Sequence, residues 1–419
     1  MHLLFVSSLV PVQKPSSGFD IANRAVIDGL VALGHRVSVV GFIEPGQEPA
    51  RPQDTHILGE AQLSNARVGA ATKLGWLLTA LVRGTSLSSA KMLRVSIERI
   101  EALLAELLPF DGIILNSVQL PAAFVAVFQR YPNIYVGHNI EADSALANAE
   151  RARSRFERMM FSREARYLEQ YERQLAQGAT RIWTFAEPDR FGFGYLLSDK
   201  ASVLPLVTQW DAPDTLAPVP VEYDLGLIGT WSWKPNRIGL DWFLNRIVPL
   251  LPSEMTIAIA GQIAGAPAVS HPGVKFLGRV PDARAFIAAS GVVPLVSKSG
   301  TGVQLKSIEA FELGLPTVAT RQSLRGIDVI PSNCAIADNE AEFARLLTER
   351  VAGVGAGTTS RVSGTLFHHA QRSRLLETLQ DGLSKLGGAA TQQDPIASHP
   401  PASGKGRFPL AVHEGGKAR

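Results

Sequence analysis

The sequence predicts an α/β protein with two doubly wound domains, each a parallel sheet covered by helices on both faces. Short apolar runs at 3–9 and 223–228 lack the polar alternation of half-exposed strands, so both faces of each should be buried. Loops and helical patterns follow these runs in strand–helix–strand order, which is the order of right-handed βαβ units. The 419 residues exceed one ordinary domain and suit two or three.

The first domain is predicted to span residues 1–207. Strands are expected at 3–9, 36–42, 111–115, 133–136 and 181–185, and helices at 72–82, 89–108 and 142–176. The first helix follows a loop rich in Pro and Ser, and Asp20 is its expected N-cap. Residues 44–65 are expected to form a surface excursion.

A linker is predicted at 208–222, where Pro213, Pro218 and Pro220 leave little periodicity. The second domain is predicted at 223–352, and Asn236 is expected to cap its first helix. Its strands are expected at 223–228, 256–260, 274–277, 292–296 and 317–320, and its helices at 238–250, 283–289, 303–313 and 340–351. A helical segment follows at 353–386. Residues 387–419 are predicted to be disordered because they are rich in Gly, Ala, Pro, Ser and Gln.

Composition narrows the class of protein. The formal charge of +3 gives nucleic-acid binding no support. The single cysteine, Cys334, excludes internal disulfides and favours a reducing compartment. The N-terminal apolar run is too short for a signal peptide or a spanning helix. The expected location is therefore cytoplasmic, at most peripheral at the inner face of a membrane.

The segment 297–320 has the densest chemical pattern. The glycines of Gly300-Thr301-Gly302 lie just before a helix, whose N-terminus offers free N–H groups and a partial positive charge to a phosphate. Lys306 and Glu309 follow at i,i+3 on one helix face. A cation with a nearby carboxylate suits a diphosphate and the vicinal hydroxyls of a ribose. The alternative is an ordinary solvated ion pair.

Residues 300–320, GTGVQLKSIEAFELGLPTVAT, resemble the donor-binding motif of retaining, nucleotide-sugar-dependent glycosyltransferases of family four. That family has two Rossmann-like domains facing each other across a cleft, the GT-B fold, and its last helix commonly crosses back onto the first domain. Glu309 matches the second of the family's two glutamates, which contacts the donor ribose. Thr301 stands where the first glutamate would be, so the identity of the sugar stays open. In relatives with this departure a lysine precedes the glutamate by three residues, and Lys306 matches it.

The resemblance extends to two loops of the first domain. His138, just past strand 133–136, is implied to meet the donor sugar and to be catalytic together with Lys306 and Glu309; by itself it reads as a structural hydrogen-bonding residue. Asn139 and Glu141 follow on the acceptor side, although a carboxylate in a first helical turn also suits the helix dipole.

Small residues occupy the loop after the first strand. Ser17 and Gly18 stand where the family approaches the donor phosphates and the acceptor, and a plain tight turn is the alternative. The spaced glycines of a dinucleotide fingerprint are absent, so an NAD-dependent enzyme is disfavoured.

The resemblance implies a donor site drawn mainly from the second domain. Trp231 and Trp233 are candidates to stack on a base, although core packing is the commoner role of tryptophan. Arg237 is a further basic candidate. The implied donor-binding residues are Gly18, Gly229, Thr230, Lys234, Gly278, Arg279, Gly300, Thr301, Gly302, Lys306 and Glu309.

The helical pattern at 142–176 is basic and partly aromatic. Phe156, Met159 and Phe161 interleave with arginines, and such a helix suits an anionic membrane surface and a lipid-linked acceptor. Glutamates dilute the charge, so i,i+4 pairing on a solvated face is the alternative.

The resemblance implies a glycosyltransferase that moves a sugar from a nucleoside-diphosphate sugar to an acceptor, expected to be a glycan or lipid-linked glycan. Retention of anomeric configuration is implied by the resemblance alone. No metal or other cofactor is expected, because no clustered Asp pair resembles a divalent-metal site. The alternatives are a nucleotide-sugar epimerase of the same fold and a non-catalytic nucleotide-sugar-binding protein.

Overall fold

The structure is a computed structural model that describes residues 1–390 apart from 16, 64–67, 213–219, 264, 266, 268, 358 and 359. Residues 213–219 of the predicted linker, and residues 391–419 of the predicted disordered tail, therefore lie outside the described residues. Within them the chain forms two parallel sheets covered by helices, which confirms the predicted fold class of two Rossmann-like domains.

The first domain is organised around a sheet of parallel strands in the order β3-β2-β1-β4-β5-β6-β7. Strand order reverses between β1 and β4, so a crevice opens beyond the carboxyl ends of these strands, where doubly wound sheets bind ligands. The strands are β1 (His2–Leu9), β2 (Arg36–Ile43), β3 (Thr55–Glu60), β4 (Gly112–Asn116), β5 (Asn133–Gly137), β6 (Arg181–Thr184) and β7 (Ala201–Val203).

Helices cover both faces of this sheet. They are α1 (Gly18–Ala32), α2 (Ala70–Val82), α3 (Leu87–Ala90), α4 (Ile97–Leu107), α5 (Gln119–Ala123), α6 (Val125–Phe128), α7 (Glu141–Glu150) and α8 (Arg155–Gly178). Short 3₁₀ turns lie at Pro52–Asp54, Glu187–Phe191 and Tyr195–Lys200.

Four predictions about the first domain are wrong in detail. The stretch 44–65 contains β3, which pairs with β2 at the sheet edge. The predicted helix 89–108 is divided into α3 and α4, and the predicted helix 142–176 into α7 and α8. Ser154 and Glu157 form a reciprocal capping box that begins α8 and so fixes the second break. Ser17, not Asp20, caps α1, because its side chain accepts from the Asp20 amide.

The second domain has the sheet order β10-β9-β8-β11-β12-β13. Its strands are β8 (Tyr223–Ile228), β9 (Ile257–Ala260), β10 (Val274–Gly278), β11 (Ser290–Leu295), β12 (Thr317–Ala319) and β13 (Cys334–Ile336), and its helices are α9 (Lys234–Trp242), α10 (Ala283–Ala288), α11 (Leu305–Glu312) and α12 (Glu340–Gly355). A π turn at Phe243–Ile247 and a 3₁₀ turn at Val248–Leu250 continue α9. Asn236 lies inside α9 and does not cap it, contrary to prediction.

The last helix, α13 (Gly364–Ala390), returns to the first domain. Leu375, Leu379 and Leu383 are buried in the same apolar cluster as residues of both sheets. The Arg181 guanidinium of β6 pairs with the Asp381 carboxylate at 2.7 Å. The helix runs to Ala390, past residue 387, where disorder was predicted to begin. The two domains thus share part of one core, which limits their relative position.

Candidate functional site

The two domains meet where the loop before α11 reaches the carboxyl edge of the first sheet. The Gly302 amide donates to the Asp189 carboxylate across 3.0 Å. A Cβ on Gly302 would lie 2.6 Å from the His138 carbonyl oxygen, and Gly302 has φ +73°. Only glycine allows this approach in this backbone conformation. The structure therefore brings the predicted phosphate loop directly against the predicted sugar-contacting histidine.

Lys306 begins the first turn of α11 and is largely buried. Its Nζ donates to the Asn236 Oδ1 at 3.2 Å and lies 5.4 Å from the ring centroid of Trp231. Burial lowers the pKa of Lys306 to about 8. Among the described residues, no carboxylate forms an ion pair with it. A buried ammonium without an anion is costly unless a ligand supplies the charge.

Glu309 lies one turn further along α11. Burial raises its pKa, and the Arg284 charge partly opposes that effect. Glu309, Lys306 and Trp231 line a small cavity of about 10 Å³, which is the space of a single water molecule. The predicted pair thus faces an internal space and not the outer surface.

His138 is held between two aromatic rings just beyond β5. Phe19 of α1 stacks on it at 4.8 Å between centroids, and Phe185 meets it edge-on at 4.7 Å. Its Nε2 lies 2.9 Å from Asn116 Oδ1. Burial lowers the pKa of His138 to about 3, so the imidazole is neutral near pH 7.

Sequence reasoning missed Arg325 and Asp189, which join the loop from opposite sides. Arg325 Nε donates to the Gly302 carbonyl at 3.0 Å, and its Nη2 donates to the Thr301 carbonyl at 3.3 Å. Its Nη1 is buried and unpartnered within the described residues, as are the hydroxyls of Ser299 and Thr301. Unsatisfied buried polar atoms clustered in one loop are typical of a site that a ligand completes.

Asp189 is 3 % exposed, and burial raises its pKa to about 6. The Gly302 amide and the Arg325 charge both lower that pKa and partly oppose the effect. The missed residues are separated from the loop by long stretches of chain: Asp189 and Gly302 are 113 positions apart. No local pattern carries such a contact.

The remaining donor candidates have mixed placements. Gly18 faces α11, because a Cβ on it would lie 3.1 Å from the Leu305 side chain. Gly229 follows β8, and the Thr230 carbonyl accepts from Asn236 Nδ2 at 3.2 Å. Gly278 ends β10. The side chains of Lys234 and Arg279 are both exposed.

The residues predicted on the acceptor side make contacts that stabilise the fold. Ser17 caps α1. Asn139 Nδ2 donates to the Ser144 hydroxyl at 3.5 Å. The Glu141 amide donates to the buried Glu172 carboxylate at 2.8 Å, which anchors the start of α7. Burial raises the pKa of the Glu141 carboxyl. Arg237, in the second domain, forms an i,i+4 ion pair with Asp241 at 2.7 Å.

Two surveys of the described residues bear on metals and membranes. No group of three or more His, Cys, Asp or Glu side chains there is arranged to hold a metal ion. Across the same ranges, no helix has both the length and the apolar character needed to cross a bilayer.

Comparison with known proteins gives a family match for the second domain and fold matches for the whole chain. Residues 222–351 match the family model described as "Glycosyl transferases group 1". A comparison with curated protein sequences finds no significant match. The solved structure of sucrose-phosphate synthase from Thermosynechococcus elongatus has a TM-score of 0.65 at 14 % identity, and the alignment covers 93 % of this chain and 99 % of that one.

Two further solved structures cover the chain equally well. HepE of Anabaena in complex with UDP-glucose has a TM-score of 0.55 at 15 % identity and covers 93 % of this chain and 100 % of its own. WaaG, a glycosyltransferase involved in lipopolysaccharide biosynthesis, has a TM-score of 0.54 at 14 % identity, with 93 % and 99 % covered. The second domain therefore matches the group 1 glycosyltransferases, and the chain as a whole has the GT-B fold of two Rossmann-like domains.

Proposed function

We propose that the protein transfers a sugar from a nucleoside-diphosphate sugar to a glycan or lipid-linked glycan, with retention and without a metal. One observation carries the proposal: the ammonium of Lys306, in the first turn of the helix that follows the Gly300–Gly302 loop, is buried with a neutral amide as its hydrogen-bond partner. A diphosphate supplies the missing negative charge. The match of residues 222–351 to group 1 glycosyltransferases and the UDP-glucose complex of HepE support a nucleotide-sugar donor.

The chemistry follows from where charge develops. The bond between the sugar C1 and the diphosphate oxygen breaks, and the electron pair leaves with the phosphate. The acceptor hydroxyl bonds to C1 on the same face, and its proton passes to the departing oxygen. Lys306 and the loop amides stabilise the departing anion. Each charge-assisted contact contributes ~2–3 kcal/mol, or about two orders of magnitude in rate.

With the diphosphate bound at Lys306, Glu309 binds the ribose hydroxyls and His138 contacts the sugar. Glu309 lies on the same helix as Lys306 but one turn further from the loop. The His138 carbonyl lies against Gly302, where the first domain meets the loop. This order, ribose then diphosphate then sugar, runs from the second domain toward the first.

An exposed apolar surface on the first domain supports a lipid-linked acceptor. Leu78 and Val82 of α2 are 53 % and 83 % exposed, and Phe156 and Met159 of α8 are 60 % and 59 % exposed. The Arg163 guanidinium of α8 donates to the Ala80 carbonyl of α2 at 2.8 Å, which places the two helices side by side. Arg83, which follows α2, and Arg155 and Arg158 of α8 are exposed next to these apolar side chains in sequence. Basic residues likewise flank the apolar face of helices that lie on anionic bilayers.

Product analysis tests the reaction. The purified protein is screened by thermal shift against UDP, GDP and ADP and their sugars, and the donor that stabilises it is then incubated with a lipid-linked glycan extract. Transfer of labelled sugar to the extract is the expected result. Isomerised sugar without an acceptor would identify an epimerase. Stabilisation without any turnover would identify a binding protein.

Co-sedimentation with vesicles tests the membrane contact separately. The double variant Phe156→Ser/Met159→Ser should lose most binding to anionic phosphatidylglycerol vesicles. A control variant, Leu250→Ser, removes an equally exposed apolar side chain from the second domain and should bind like wild type. Equal binding of the wild type and the double variant would contradict the proposed surface.

A further inference from the structure

A buried polar network stands behind His138 at the carboxyl edge of the first sheet. Asn116 Nδ2 donates to Ser7 Oγ at 3.1 Å and to Asn23 Oδ1 at 2.9 Å. Asn23 Nδ2 in turn donates to the same Ser7 hydroxyl at 3.3 Å. Ser7, Asn23 and Asn116 are each 0 % exposed and come from β1, α1 and β4. Three separate elements therefore converge on one side-chain amide.

The network fixes which way the Asn116 amide points. Because its NH₂ group is engaged by Ser7 and Asn23, its Oδ1 is turned toward His138 Nε2, 2.9 Å away. A carboxamide oxygen only accepts, so the imidazole nitrogen facing it must carry the proton. The neutral ring then has its lone pair on Nδ1, which has no hydrogen-bond partner among the described residues.

We propose that Asn116 is a positioning residue that holds His138 in the Nε2–H tautomer, so that Nδ1 is left to accept a hydrogen bond from a hydroxyl of the sugar. The rings of Phe19 and Phe185 prevent the imidazole from turning away. Burial lowers the pKa of His138 to about 3, which keeps the ring neutral and Nδ1 free. The identity of the hydroxyl rests on the proposed function; the tautomer does not.

The tautomer is measured on the wild-type protein without any substrate. In ¹⁵N-histidine-labelled protein, with the His138 signals assigned by comparison with His138→Gln, we expect a protonated Nε2 and an unprotonated Nδ1. The opposite pattern, with the proton on Nδ1, overturns the proposal whatever the activity. A correct tautomer in a protein that transfers no sugar counts against the proposed function alone.

Two variants separate positioning from stability. Asn116→Ala removes the acceptor and should mix the tautomers and lower kcat about 10- to 100-fold, the scale of a misplaced reactive group. Asn133→Ala is the matched control, since Asn133 is a 2 % exposed amide at the opposite end of β5, whose Nδ2 donates to Tyr131. It removes one side-chain hydrogen bond where Asn116→Ala removes three, so it should cost less stability, and it should leave the His138 signals and kcat unchanged. Equal kcat losses in both variants would overturn the positioning role.

A conservative variant provides the second readout. Asn116→Asp keeps an acceptor oxygen against Nε2, so the Nε2–H tautomer should persist. The added carboxylate favours the imidazolium and raises the pKa of His138. The kcat of Asn116→Asp should then fall toward acid pH, in a range where the kcat of the wild type does not change. An unchanged profile with unchanged tautomer would contradict a contact between residue 116 and the functioning imidazole.

Discussion

Replacing Lys306 with Met should stabilise the free protein while abolishing its activity. Methionine has nearly the same length and no charge, so it removes the ammonium with little change of packing. The drop of the Lys306 pKa from the usual 10.5 to about 8 corresponds to about 3 kcal/mol against the charged form in the folded state. Partial solvent access and the lost bond to Asn236 make this an upper bound, and a gain of about 1–2 kcal/mol is expected.

The pH dependence gives this prediction its sign. Below pH 8 the lysine is charged in both the folded and the unfolded state, so the whole penalty is present at pH 7. Between pH 8 and 10.5 the folded state holds fewer protons than the unfolded state, so the stability of wild type rises relative to that of the variant. The advantage of Lys306→Met should therefore be largest near neutrality and shrink toward pH 10.

Urea denaturation at pH 7 and pH 9.5 measures the effect, and transfer assays on the same samples measure activity. Lys298→Met is the control, because Lys298 lies in the same loop region and its Nζ rests 4.5 Å from the Trp242 ring centroid. The free energy of unfolding of Lys298→Met should be lower than that of wild type by no more than about 1 kcal/mol. A Lys306→Met protein that is less stable than wild type at pH 7, or that still transfers sugar, would refute the reasoning.

Three further predictions use the same assays. Gly302→Ala should lower transfer about 100-fold, because its Cβ would meet the His138 oxygen at 2.6 Å and must displace the loop; Gly46→Ala, with the same φ of +73° and open space around it, should share only the backbone strain of about 1–2 kcal/mol and keep full activity. Asp189→Asn keeps an acceptor for the Gly302 amide and removes a carboxyl whose pKa is raised to about 6. Because the folded wild type holds this proton more tightly than the unfolded chain, its stability should fall by up to about 3 kcal/mol as pH rises from 4 to 6, and the variant should not show this fall. A variant whose stability still falls across that window would show that another group titrates. Glu309→Ala should nearly abolish transfer with the fold intact, whereas Glu349→Ala on the exposed face of α12 should not; full turnover in Glu309→Ala would remove it from the site.

The fold was readable from the sequence where parallel strands are long apolar runs. β1 and β8 were found to within one residue, because burial on both faces removes polar residues from such strands. β3 was missed because it is a partly exposed edge strand. β7 and β13 were missed because they are three-residue strands that are only partly buried; β12 is equally short but fully buried, and it was predicted.

The break before α8 was missed because the prediction followed a long helical periodicity and did not use the capping signal inside it. The S-x-x-E spacing of Ser154 and Glu157 is visible in the sequence and marks the start of α8. The continuous charged pattern on either side favoured one helix instead. Asn236 shows the opposite error: it was assigned to a cap, whereas its amide oxygen accepts from Lys306 within the site.

The site was predictable only as far as it is local. Lys306, Glu309 and the loop glycines lie within ten positions of one another, and the structure places Lys306 and Glu309 on the lining of one small cavity. Asn116 joins His138 from a neighbouring strand of the first sheet, Arg325 joins the loop from within the second domain, and Asp189 joins it from the first domain. No short pattern encodes these contacts. The catalytic and binding roles of all these residues stay predictions.

Calorimetric binding of the stabilising nucleoside diphosphate to wild type, Lys306→Met and Lys298→Met tests the central claim most directly. If the loop and α11 hold the departing anion, Lys306→Met should weaken the Kd about 10- to 100-fold, as a lost charge-assisted contact does, and Lys298→Met should bind like wild type. Near pH 8, binding to wild type should also take up protons, because the bound anion raises the pKa of Lys306. Equal affinity in all three proteins, with no proton uptake, would contradict the account.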